Sequence, residues 1–309
     1  MQRILIDTDP GVDDALALLM ALAHPGGRVE AITLAAGNVG ITSTARNALK
    51  LLELVGADVP VHAGAGRALV HVEADAAFVH GRDGFGDTGY RAPLTRLADE
   101  PAASAMIRLS HAYSGAIQFV TLGPLTNLAL ALSLDPSLPQ RVPRLVIMGG
   151  AATGRGNHTH LPAEFNVNFD PEAAAIVCQR WPQFELVDWE ATLAHGLDYA
   201  SIERWLAAPS DTARFYRAIS RKTRAFMRRV GRERWYAADA LAMAVALEPD
   251  GAIEWAARPL AIATEPGLAR GATLVDWDRR MGWRENARIL RRYDGERFAG
   301  LVRMALRAP

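Results

Sequence analysis

One cysteine, no net charge and no long apolar run mark this sequence, and each scarcity removes a class of protein. With only Cys178 among 309 residues, neither an internal disulfide nor a cysteine-based zinc site can form. That thiol lies in an alanine-rich, helix-like run, where it reads as an inert buried group rather than a nucleophile. Lys and Arg total 34 and so do Asp and Glu, which argues against a protein that holds nucleic acid by bulk electrostatics. The longest apolar stretches, such as residues 15–23, fall well short of the ~20 residues needed to cross a bilayer, so no membrane anchor is expected. Asp7 interrupts the N-terminal apolar residues at once, leaving no room for a secretory leader, and a cytoplasmic location is expected. Disorder is excluded as well, because half of the chain is hydrophobic and can bury a large core.

What is present has a regular rhythm. Ile4, Leu5 and Ile6 form a short apolar run that stops at Asp7, and from Asp14 onward Ala15, Leu16, Leu18, Leu19 and Leu22 follow helical spacing. Residues 29–35 before a helix at 42–55, and 117–122 before a helix at 125–132, repeat the alternation. Further strands are predicted at 145–148, 184–187, 272–275 and 287–290, with helices from 201, at 237–247 and at 296–306. Strands alternating with helices predict an α/β fold, an open and mostly parallel sheet with helices on both faces. Residues 212–234 hold nine Arg or Lys against the single acid Glu233. A solvated helix face explains such a run, and a mobile flap beside a cleft is the sharper alternative.

Four carboxylates, Asp7, Asp9, Asp13 and Asp14, fall within eight positions after the first strand. In an open α/β sheet that edge is where ligands bind. Asp13 or Asp14 can cap the following helix and Asp7 can bond loop amides, but these roles do not account for all four. Like charges so close raise one another's pKa unless a cation neutralises them, which points to a hard, oxygen-loving divalent ion. Pro10 stiffens the loop and Gly11 supplies its turn.

A strand followed by Asp-Thr-Asp resembles the haloacid dehalogenase type of phosphoryl-transfer hydrolase, in which Asp7 would be the nucleophile and Asp9 the acid. The later lysine and paired-acid motif of that family have no convincing counterpart here. The full string Asp7-Thr8-Asp9-Pro10-Gly11-Val12-Asp13-Asp14-Ala15 instead resembles the signature of the inosine-uridine preferring nucleoside hydrolases. The resemblance recurs in order along the chain. It includes Asn38 in Ala36-Gly37-Asn38-Val39, the loop His80-Gly81-Arg82-Asp83-Gly84, and Thr121-Leu122-Gly123-Pro124-Leu125-Thr126-Asn127. Met148-Gly149-Gly150, the run from Glu164 through Asn166 and Asn168 to Ala173, and Ala238-Asp239-Ala240-Leu241-Ala242 complete it.

The resemblance implies a Ca²⁺-dependent enzyme that hydrolyses the N-glycosidic bond of ribonucleosides, and a homo-oligomer. It implies Ca²⁺ held by Asp9, Asp14, Asp239 and the backbone carbonyl of Leu122, with Asp9 as general base toward a bound water. Asn38, Asn157, Glu164 and Asn166 become the expected ribose clamp, with Met148 and His80 beside the substrate. In an extended segment Asn166 and Asn168 would point the same way, leaving open which of them touches sugar. Asp170, before Pro171, is expected to cap a helix.

The chain departs from the family at Ala238, where the inosine-uridine branch has a histidine that protonates the leaving base. His80, Trp235 and Tyr236 are the candidates for that task, and Trp189 is a candidate for lining the pocket. A non-catalytic nucleoside or ribose binder is the alternative that Ala238 motivates. Asp9 and Asp239 lie 230 positions apart, so if both hold one ion, residues 1–309 form a single domain.

Overall fold

Apolar segments that alternate their side chains between two hydrophobic layers become the strands of one large sheet. The computed structural model describes residues 1–71, 75–158 and 160–308. In chain order the strands are β1 (Gln2–Thr8), β2 (Gly27–Leu34), β3 (Val61–Ala63), β4 (Ile117–Thr121), β5 (Arg144–Met148), β6 (Phe184–Val187), β7 (Ala252–Arg258) and β8 (Ala287–Tyr293). They lie in the order β3-β2-β1-β4-β5-β6-β8-β7. Every neighbouring pair is parallel except β8 with β7. The chain moves outward in opposite directions from β1 and β4, so the crevice beyond their carboxyl ends is a topological switch point.

Both faces of the sheet are buried, as a parallel sheet requires. Ile4 and Ile6 face one core, with helices Val12–Ala23, Ala238–Leu247 and Gly295–Leu306, while Leu5 faces the other. That second core packs helices Ala102–Ala112, Thr126–Leu134 and Pro171–Arg180, and it contains Cys178. Burial pushes the Cys178 thiol up to about 12, as an inert thiol should be.

The predicted elements recur with ends shifted by a few residues, but β3 and β7 were not foreseen. β3 is three residues long, and β7, Ala-Ile-Glu-Trp-Ala-Ala-Arg, contains little that favours a strand. Its pairing with β8 makes it one. The basic stretch is a helix, Asp211–Arg229, which buries Thr212, Tyr216, Ile219 and Thr223 and turns most of its arginines outward. It is thus a solvated face and a packed face at once. Among the described residues no helix is long and apolar enough to cross a membrane.

Candidate active site

β1 ends at Thr8 and helix Val12–Ala23 begins three residues after Asp9, so the loop between them is short and heavily bonded. The Gly11 N–H donates to Asp14 Oδ2 at 2.9 Å and the Thr8 hydroxyl to Asp14 Oδ1 at 2.5 Å. Asn38, in the loop after β2, donates its backbone N–H to Asp9 Oδ2 at 2.6 Å and its side-chain amide to Asp14 Oδ2 at 2.9 Å. The remaining oxygens tell a different story. Asp9 Oδ1 and Asp13 Oδ1 are buried and accept no hydrogen bond from the described residues. Gly37 and Gly123 press on the Asp9 carboxylate from two sides, where an added Cβ would stand 2.9 Å and 2.8 Å from its Cγ.

Asp239 comes from the first turn of helix Ala238–Leu247. Carboxylate oxygens of Asp13, Asp14 and Asp239 lie within 4.8 Å of one another. Burial, followed by the charges of Asp13, Asp14 and Asp9, pushes Asp239 well above the usual carboxylate range. Burial and the Asp14 charge do the same to Asp9, and burial takes Asp13 to about 6. Buried acids this crowded hold charge together only with a cation among them. Oxygen-only donors and two orphaned carboxylate oxygens fit a hard divalent ion. The Leu122 carbonyl accepts the Asn166 amide at 2.7 Å and keeps a second lone pair.

Above the acids opens a cavity of about 260 Å³. Asp13, Asp239, Leu122, Asn38, Glu164 and Asn166 form part of its lining, and Trp189, Trp235 and Tyr236 give it an aromatic wall. Glu164 caps the short helix Phe165–Phe169, accepting N–H groups of Gly150, Asn166 and Val167 at 2.9, 3.0 and 3.2 Å. Burial lifts its carboxyl to about 7. His80 accepts the Val12 N–H on Nδ1 at 3.0 Å, which places the ring proton on Nε2. Burial pushes His80 down to about 4, so it is neutral at pH 7.

The model of the inosine-uridine preferring nucleoside hydrolase family matches residues 4–300. The chain belongs to that family. Over 310 aligned residues it is 35% identical to the non-specific ribonucleoside hydrolase RihC of Klebsiella pneumoniae subsp. pneumoniae, covering 96% of this chain and 95% of that one. RihC of Salmonella enteritidis is 34% identical, with 96% and 94% covered. A plant nucleoside hydrolase, PpNRh1, superposes with a TM-score of 0.93 at 32% identity over 100% of this chain and 99% of its own. An inosine-guanosine nucleoside hydrolase does so at 0.92 and 30% identity, with 100% of both chains covered.

In this nucleoside hydrolase Asn38, His80, Leu122, Met148, Asn157, Glu164, Asn166, Trp235, Tyr236 and Asp239 all line the cavity, and so do Ala238 and Trp189. Asp9 and Asp14 lie behind that lining, fully buried. Asn157 Oδ1 also accepts the Phe165 N–H at 2.8 Å. The expectation that Asn166 and Asn168 face alike fails because residues 165–169 are helical. Asn166 turns to Leu122 and Met148, while Asn168 meets His158 and His160 away from the cavity. Asp170 caps the next helix as expected, accepting the Ala173 N–H at 3.0 Å.

Asp7 is sealed in the sheet, where its Oδ1 accepts from Thr33 at 2.7 Å and from Asn127 at 2.8 Å. A carboxylate so enclosed is no nucleophile, which removes the phosphatase reading. Asp13, part of the acidic loop in the sequence but not among the expected metal ligands, joins Asp14 and Asp239 and lines the cavity. The basic helix and its exit loop supply Thr223, Phe226, Met227, Val230 and Arg232 to the cavity. The spacing of 223, 226, 227 and 230 is the signal of a single helix face, obscured by the surrounding charge.

Proposed function

We propose that the protein hydrolyses the N-glycosidic bond of ribonucleosides to free base and ribose, with Ca²⁺ held by Asp9, Asp14, Asp239 and the Leu122 carbonyl. One observation carries the reading: a crowded set of buried carboxylates, two of them with an oxygen unpartnered among the described residues, beside a cavity whose lining includes Trp189, Trp235 and Tyr236. When bound, the ion supplies a fixed positive charge that makes a neighbouring water more acidic and anchors sugar hydroxyls. Asp9 is the general base. Its Oδ2 is held by the Asn38 N–H, and its Oδ1, unpartnered among the described residues, serves both the ion and the proton of the attacking water. The water oxygen bonds to the anomeric carbon, and the electrons of the broken C–N bond leave with the base. Negative charge on Asp9 also favours the oxocarbenium-like transition state. Asn38, Asn157, Glu164, Asn166 and Met148 hold the ribose, and a fixed sugar lowers the entropic part of the barrier. His80 borders the base, and its neutral ring offers the Nε2 proton.

Asp13 is the rival base, because it lines the cavity, whereas Asp9 lies behind that lining. A reducing-sugar assay on the common ribonucleosides, with and without EDTA, tests both. Hydrolysis of at least one nucleoside should depend on the metal and collapse in Asp9→Ala. Full activity in that variant, with loss in Asp13→Ala, would transfer the base role to Asp13.

A further inference from the structure

With alanine at 238, the electrons released to the base need another positive group, and among the described residues that line the cavity Arg232 is the one with a permanently charged side chain. Helix Asp211–Arg229 is stopped by Gly231 at φ +75°, a conformation that suits only glycine well. The Gly231 N–H returns to the Arg228 carbonyl at 3.1 Å and the Arg232 N–H to the Met227 carbonyl at 2.9 Å. This is the bond pattern of a Schellman stop, and it turns the chain back toward the cavity at Arg232. The Arg232 guanidinium lies 5.9 Å from the Trp189 ring centroid and 5.8 Å from that of Tyr236, close enough for cation–π attraction to hold it on the aromatic wall. Lys222, Arg224 and Arg228 are engaged by Asp87 and Glu203, whereas no ion pair among the described residues involves Arg232.

We propose that Arg232 stabilises the departing base, donating from its guanidinium fork to a base edge that carries adjacent carbonyl and ring-nitrogen acceptors. A 6-oxopurine presents such an edge through O6 and N7, and bidentate donation from arginine matches it. Arginine keeps its proton, so it is no general acid. The base leaves with the electron pair of the broken bond, its negative charge is balanced by the guanidinium, and solvent protonates it after release. The inference rests on the ribonucleoside hydrolase reading above.

The test compares wild type, Arg232→Met and Arg232→Lys on inosine and on p-nitrophenyl β-D-ribofuranoside, whose nitrophenolate leaves without help. Wild-type cleavage of p-nitrophenyl riboside establishes the ribosyl chemistry first, and its absence would overturn the hydrolase reading itself. Arg232→Met should lose about 10²-fold to 10³-fold in kcat/KM on inosine, the usual effect of removing one preorganised charge-stabilising donor. Its kcat/KM on p-nitrophenyl riboside should change by less than about 3-fold, and Arg232→Lys should recover part of the inosine activity. Equal losses on both substrates would make Arg232 a structural or sugar-positioning group. An unchanged rate on inosine would likewise overturn the proposal.

Discussion

Replacing Gly123 by alanine tests whether the position of the Asp9 carboxylate, and not merely its presence, sets the rate. Gly123 follows Leu122 at the end of β4, and an added Cβ would stand 2.8 Å from Asp9 Cγ, closer still to Oδ1. Ordinary contact begins near 3.4 Å, so Cγ must retreat by about 0.6 Å and the closer Oδ1 by more, or the β4 loop must yield. Gly37 blocks retreat on the other side, where an added Cβ would be 2.9 Å from the same carbon. Overpacking of this kind destabilises a fold by about 1–3 kcal/mol. Misplacing a reacting group by about 1 Å costs on the order of 10²-fold in rate. Gly123→Ala should therefore lose about 10-fold to 10²-fold in kcat on a ribonucleoside and melt a few degrees lower. Gly40→Ala, whose Cβ meets nothing within 4 Å, is the control and should keep its rate. Steady-state kinetics with a reducing-sugar readout, paired with thermal unfolding, decide the matter. Wild-type kcat in a folded Gly123→Ala protein would refute the argument that the two glycines fix Asp9.

Two further predictions address the base end and the sugar end of the cavity. Ala238→His, at a position that lines the cavity, should raise kcat on inosine at least about 10-fold by restoring a proton donor; steady-state rates showing no gain in a folded variant would mean that another group already does this work. Glu164 titrates near 7 when folded against 4.5 unfolded, so the folded state binds more protons between those values and stability falls as pH rises through that window, by about 3 kcal/mol. Urea unfolding in EDTA should show a smaller decline from pH 4.5 to 7 in Glu164→Gln, which also gives up an accepted N–H bond; equal slopes would show that Glu164 is not the source.

Much of the fold was legible because its causes are local. Ile4-Leu5-Ile6 alternates toward two cores and stops at Asp7, and the helix that follows starts just after its N-cap Gly11, so neighbours in sequence suffice to place both. The ligand edge was legible for the same reason, since the acids that follow the first strand must stand at its carboxyl end. β7 was not legible, because its residues have weak strand preference and take their form from β8. Nor was the opposite facing of Asn166 and Asn168, which depends on one turn of helix capped by a buried Glu164.

By itself, the sequence determined the strand–helix alternation, the family and the chemistry of the acidic loop, all of which depend on residue type and short-range order. Tertiary structure decided which carboxylates meet. Asp239 reaches Asp13 and Asp14 only through helix packing across the whole chain, and Asp9 is placed behind them by two glycines from different loops. It also decided that a strongly basic segment walls an apolar cavity and sends Arg232 back toward the aromatic wall. The physical reason is that a helix shows its polar face to the sequence reader through composition. Which residues of its other face meet a cavity is fixed by long-range packing alone.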